Sequence, residues 1–203
     1  MPVLPFPGPG VLIDRLVVAD APALAASHSD PDNARFQGWE SPLAPAEAQR
    51  FIEAQTGIEP LAPGSAVQLA IREAAGGPLA GDLYLDRSGE TPQTVEVGIT
   101  LVPDFHGRGL ATAAVAATLD AVFSPDGPAG PVERLVAVVD VDNIRSRRLF
   151  ERLGFRLVAR HVGTGQRRDG TVADEVELAM TARHWREGPR PGPRGPGDAG
   201  APL

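Results

Sequence analysis

"LVPDFHGRGLATAAVAATL", residues 101–119, is the stretch from which the rest of the chain is read. It begins as the end of an apolar strand, meets Pro103, passes through His106-Gly107-Arg108-Gly109 and enters an alanine-rich run. Alanine is the strongest helix former, so Leu110 to Phe123 reads as a helix with two glycines just before its first turn. The first N–H groups of a helix lack intrahelical partners and carry the positive end of its dipole, so an anion can rest there on backbone amides. Gly107 and Gly109 leave room for close approach, and Ala111 is small too. The same glycines also suit a sharp strand-to-helix corner, and the turn alone leaves both readings open.

Two nucleotide motifs fail at this turn. A phosphate loop of the G-x-x-x-x-G-K-[ST] kind needs a lysine, and all 19 basic residues of the chain are arginines. A dinucleotide fingerprint needs a third glycine where Thr112 stands, and a parallel βαβ unit where antiparallel strands precede.

Working outward, "RLVVA" (15–19) reads as a strand, and Asp20 as the N-cap of a helix running to about Ser27. "SPLAPAEAQRFIEAQ" (41–55) reads as a helix closed by Gly57. "AVQLAIREA" (66–74) and "LAGDLYL" (79–85) form a hairpin around Gly76-Gly77-Pro78, and "TVEVGITLV" (94–102) is the strand that leads into the turn. Beyond the Leu110 helix come a strand (133–140), a helix (Asn143 to Leu153, stopped by Gly154) and a last strand pair (155–162 and 172–180). These elements predict a mixed α/β (α+β) fold with a mostly antiparallel, twisted sheet of about seven strands flanked by helices. Residues 1–12, rich in proline, read as a flexible segment, 13–186 as one domain, and 187–203 as a disordered Pro/Gly/Arg tail.

Bulk properties exclude several function classes. There is no cysteine, so no disulfide and no thiol or cysteine–metal site, and no metal is expected. A net charge of −7 argues against nucleic acid and mildly favours cationic partners. No apolar run is long enough to span a membrane, and the N-terminus lacks a signal-peptide layout, so a cytoplasmic location is expected.

A second motif follows in "VDVDNIRSRRLFERLGF", residues 139–155. Asn143, Ser146 and Phe150 recur at spacings of three and four and so share one helix face. Read structurally, Asn143 and Ser146 are also ordinary helix-start residues.

With both motifs in this order, the chain resembles the GNAT superfamily of acyl-CoA-dependent N-acetyltransferases, and within it the RimJ/RimL type. The superfamily signature [Gln/Arg]-x-x-Gly-x-[Gly/Ala] falls on His106, Gly107, Arg108, Gly109, Leu110 and Ala111, with His106 departing from the usual Gln or Arg. The similarity spans about residues 13–181. It implies acetyl-CoA as cosubstrate, with its pyrophosphate on the His106–Thr112 turn. It also implies a V-shaped opening between the strands 94–102 and 134–140. The pantetheine arm would pair there with Ile99, Thr100 and Leu101, and Asn143, Ser146 and Phe150 would complete the cofactor contacts. An amine acceptor would attack the thioester directly, with Glu96 as general base. Ser146 stands in as general acid, because Phe150 occupies the position of the family's usual tyrosine. Phe36, Trp39 and Tyr84 are the candidate acceptor-binding residues, and Glu40 and Asp82 the candidates for attracting a cationic amine. A homodimer is compatible with the resemblance. The competing readings are a non-catalytic acyl-CoA-binding or regulatory module and an interaction protein working through the Pro/Arg tail.

Overall fold

The computed structural model describes residues 4–188, apart from 38, 40, 90, 92 and 125–129. The expected tail therefore lies almost wholly outside the described residues. Two short strands open the chain, β1 (Phe6–Gly8) and β2 (Val11–Arg15), paired as an antiparallel hairpin. This corrects two expectations. The segment 1–12 expected to be flexible carries β1 and the start of β2, because Phe6 is buried in the core and its strand pairs with β2. The first long strand lies at 11–15 rather than 15–19, because Val11 and Ile13 are the residues whose alternation faces the core, while Val17 and Val18 are exposed.

Three helices follow: α1 (Ala21–Ser29), α2 (Pro31–Ala34) and α3 (Pro45–Ala54). Asp20 precedes α1 as expected but does not cap it through its side chain. Its carboxylate instead accepts from the Val17 N–H at 2.9 Å and pairs with buried Arg72 at 2.5 Å. The sheet continues as β3 (Ala66–Arg72), β4 (Gly81–Asp86) and β5 (Thr94–Leu101), all antiparallel neighbours. Then come α4 (Leu110–Phe123), β6 (Arg134–Asp140), α5 (Ile144–Arg152), β7 (Arg156–Gln166), β8 (Val172–Thr181) and α6 (Ala182–Glu187). The described residues form one eight-stranded sheet in the order β1-β2-β3-β4-β5-β6-β8-β7. The count of about seven fell short by one because β1 is three residues long and proline-rich.

Alternation sorts the sheet into two faces. Leu83, Leu85, Val95, Val97, Leu135, Ala137 and Leu178 pack with α4 and α5 in the larger core. On the opposite face α1 and α3 bury a smaller cluster around Leu24, Ile52, Ala70 and Leu79. That second layer covers the β3–β4 half of the sheet, while on the other half Val138 stays 37% exposed.

The pairing of β5 with β6 positions the site. It is parallel and lasts only from Thr94 to Glu96 against Arg134 to Val136, although β5 continues to Leu101 and β6 to Asp140. Beyond Glu96 and Val136 the two strands part. The opening expected between them is therefore present.

Candidate active site

The Val102 N–H donates to the Ala80 carbonyl at 2.9 Å. Antiparallel alternation then turns the polar groups of Gly98 and Thr100 toward β4, and those of Ile99 and Leu101 toward the gap. Leu101 is partly committed, since its carbonyl accepts from Asn33 Nδ2 and His106 Nε2, both at 3.0 Å. The signature position thus serves to tie the turn back to the end of β5. Thr100 is buried and faces the side of α1, where Gln37 Nε2 reaches its hydroxyl at 3.5 Å.

Gly107 and Gly109 hold left-handed backbone at φ +75° and +79°. A Cβ at either would meet nothing within 4 Å, so the glycines answer to backbone geometry and to whatever enters the groove, not to protein crowding. The first helical bond of α4 runs from the Ala113 N–H to the Gly109 carbonyl, which leaves the Leu110, Ala111 and Thr112 amides without helical partners. These residues line a groove of about 1540 Å³ that continues past Ile99, Thr100 and Leu101 to Asn143 and Ser146. An unpaired helix N-terminus opening onto left-handed glycines suits a pyrophosphate. Arg108 leans away, over the Phe105 ring at 4.9 Å and toward Glu73 at 3.7 Å.

On α5, Asn143 acts as N-cap, its Oδ1 accepting from the Ser146 N–H at 3.1 Å. Leu149 and Arg152 continue the groove-facing stripe begun by Asn143 and Ser146. Phe150 does not line the groove: it is 1% exposed and packs edge-on to Phe155 at 5.0 Å between ring centres. Its spacing from Asn143 and Ser146 does put it on their side of the helix, but the ring is spent in the core against Phe155 and not on the groove. Pro9, Gly10 and Arg145 also line the groove and were not foreseen. The arginine run 145–152 carried the signal for the last of these.

The opposite face holds a group of acids. Glu96 faces Asp86 across the β4–β5 pair, with Tyr84 opposite Gly98 one step along. Gly98 leaves space here, since a Cβ would stand 3.4 Å from that of Tyr84. The Glu96 carboxyl is raised above its ordinary pKa, chiefly because it is removed from water and then because Asp86, Glu175 and Glu177 repel its charge. The Tyr84 hydroxyl donates to Asp86 at 2.9 Å. Burial and that bond push the phenol far above its ordinary range, so it stays protonated. Tyr84 is thus part of the polar face beside Glu96 and not a core residue.

Phe36 lies beneath two guanidinium groups, Arg35 at 5.0 Å and Arg167 at 5.9 Å from its ring centre. Trp39 stacks flat on His28 at 3.9 Å and donates to the His28 carbonyl at 3.2 Å. Asp82 cannot attract a substrate cation as expected. It is fully buried and already bonded to His28 Nε2 at 3.2 Å and to the Gln68 amide. Glu40 lies outside the described residues. Among the described residues no cluster of His, Asp or Glu could hold a metal ion, and no helix is long and apolar enough to cross a membrane.

Comparison with known proteins agrees with this fold. The family model described as an acetyltransferase (GNAT) domain matches residues 11–156. A GNAT-family acetyltransferase from Bacillus anthracis aligns with a TM-score of 0.74 at 19% identity, over 89% of this chain and 99% of that one. RimJ of Mycobacterium smegmatis, solved in complex with CoA-disulfide, aligns with a TM-score of 0.70 at 22% identity, over 90% and 88%. A spermidine N-acetyltransferase SpeG chimera from Vibrio cholerae and hSSAT gives 0.71 at 16% identity, over 88% and 99%. At such identities the likeness speaks for the fold. No curated protein matches the chain in sequence.

Proposed function

The chain belongs to the GNAT acetyltransferase family, and from that premise we propose that it is an N-acetyltransferase of the RimJ/RimL type, acetylating a primary amine by direct attack. Acetyl-CoA would supply the thioester and a thiolate leaving group. The Leu110, Ala111 and Thr112 amides would hold its pyrophosphate, and the gap-facing polar groups of Ile99 would hold the pantetheine arm as an added strand does.

Glu96 carries the reading. It lies where β5 and β6 part, on the face away from α4, with a proton affinity raised by burial and by neighbouring carboxylates. An ammonium has no lone pair, so the acceptor must lose a proton before it attacks, and a carboxylate of raised pKa is the stronger base near neutrality. The surrounding acids favour a cationic acceptor at this face. Phe150 cannot donate a proton and is buried in the core, so protonation of the departing thiolate falls to the Ser146 hydroxyl or to water.

A thiol-release assay with acetyl-CoA against a panel of primary amines tests this function. Amine-dependent release is expected. Tight binding of acetyl-CoA with no release for any amine would make the protein a binding module instead.

A further inference from the structure

Two carboxylates stand opposite each other where the sheet begins to part, and their surroundings differ. Asp86, the last residue of β4, faces Glu96 on β5 in register. Side chains so placed have Cβ atoms about 4.5–5.5 Å apart. Asp86 is held by three donors: the Ser88 N–H and the Ser88 hydroxyl each reach Oδ1 at 2.6 Å, and the Tyr84 hydroxyl reaches Oδ2 at 2.9 Å. Among the described residues no donor reaches the Glu96 carboxylate.

Both sources of those bonds are themselves fixed. Ser88 follows Arg87, whose N–H donates to the Ser65 carbonyl at 2.7 Å and whose guanidinium donates to the Leu61 carbonyl at 2.6 Å. Leu61 belongs to the larger core, which lies on the other face of the sheet from Glu96. Tyr84 lies opposite Gly98, where a Cβ would stand 3.4 Å from its own. Burial and the bond to Asp86 keep the phenol protonated, so it remains a donor. The other charges near Glu96 come from β8: Glu175, which accepts from the Thr164 hydroxyl at 2.8 Å, and Glu177, with partly exposed His161 3.4 Å away.

We propose that Asp86 is a positioning residue for the reaction: a fixed negative charge, locked by Ser88 and Tyr84, that strengthens Glu96 as a proton acceptor. The inference rests on the acyl-transfer reading above and deepens it, dividing the two acids into a charge that stays and a base that titrates.

Energetic cost decides between this role and a structural one. Like charges directly opposite each other weaken a sheet, and an asparagine in place of Asp86 would accept the Ser88 bonds without that repulsion. An acid there is explained by what its charge does to its neighbour. Partial burial pushes the Asp86 carboxyl upward, but the bonds from Ser88 and Tyr84 outweigh it and hold the carboxyl below its ordinary value. Burial, and after it the charge of Asp86, push Glu96 the other way. A pair driven apart in this manner divides its roles, the higher member titrating while the lower stays charged.

The test uses the full chain with Asp86→Asn, which removes the charge at nearly constant shape, Asp86→Glu, which restores it, and Ser88→Ala, which removes one donor. Two pH titrations are recorded. The first follows the carbon-13 signals of the Asp86 and Glu96 carboxyls by NMR without ligand, and the second follows kcat/KM for the best amine. In Asp86→Asn the Glu96 midpoint and the acidic limb of kcat/KM should move together to lower pH. The plateau should fall by no more than about tenfold, short of the roughly 10²- to 10⁴-fold lost with a general base. Asp86→Glu should keep midpoint and limb near their wild-type positions, and Ser88→Ala should raise the Asp86 midpoint. A Glu96 midpoint that stays in place in Asp86→Asn overturns the proposal, and so does an Asp86 midpoint unmoved by Ser88→Ala. A shifted midpoint with an unmoved limb overturns the part that Asp86 plays in the reaction. Failure of the transfer reading looks different: the wild type then acetylates no amine while the Glu96 titration still shifts, and the claim on the reaction falls with it.

Discussion

The two ends of the groove are built by opposite means. At the proposed phosphate end, one run of six residues, Gly107 to Thr112, offers backbone amides and two left-handed glycines. At the proposed acceptor end, Glu96 on β5, Tyr84 and Asp86 on β4, and Glu175 and Glu177 on β8 meet only in space. A backbone site is local and tolerant of side-chain identity. A side-chain site is assembled from distant segments and depends on each of them. This explains how His106 can replace the usual Gln or Arg: its ring is spent on the Leu101 carbonyl, which Asn33 also holds.

The largest test of the contrast is Glu96→Gln. Loss of a general base removes roughly 10²- to 10⁴-fold in rate, so kcat at neutral pH should fall by about that factor with acetyl-CoA affinity nearly intact. Raising the pH should partly rescue the variant, because more amine then arrives deprotonated. A wild-type rate across the neutral range would reduce Glu96 to a surface carboxylate. The same variant has a stability signature. The folded pKa of Glu96 is raised, so its ionisation opposes folding once the pH exceeds its unfolded value. Glu96→Gln should therefore melt higher than wild type at pH 7, and the difference should vanish below the usual carboxylate pKa. An equal melting temperature at both pH values would mean that the carboxylate is not strained by its surroundings.

Gly109→Asp probes the other end. It places a charge and a Cβ at φ +79°, where an L-residue is strained, beside the expected pyrophosphate. Acetyl-CoA affinity should drop about tenfold or more, some 1.4 kcal/mol, with Gly109→Ala separating strain from charge. Unaltered calorimetric affinity in the folded Asp variant would remove the turn from the binding site.

The smallest effect is expected at His106→Ala. The lost bond is solvent-exposed and the Leu101 carbonyl keeps its Asn33 partner. Stability should change by about 1 kcal/mol or less, and acetyl-CoA affinity by less than about tenfold. A loss as large as that of Gly109→Asp would show that the ring binds phosphate directly, and the proposed division between backbone and side-chain ends would fail.

By itself the sequence determined the elements with strong local signals. The helix Leu110–Phe123 appears at its expected limits, and β3 to β6, α5 and β8 lie within a few residues of theirs. Alternation, alanine content and glycine stops act over short distances, so they survive in one dimension. The glycine turn was legible for the same reason. Only the tertiary structure decided that Phe6 and its proline-rich neighbours join the sheet, because burial overrides a composition that argues for extended chain. It also turned Phe150 into the core, sealed Asp82 under His28, and brought Arg167 and Arg168 onto Asp140 and Ser41. Those outcomes follow from which strands neighbour which in an eight-stranded order, and from where one parallel pair stops after three residues. Contacts across more than a hundred residues leave no periodic trace in a single sequence.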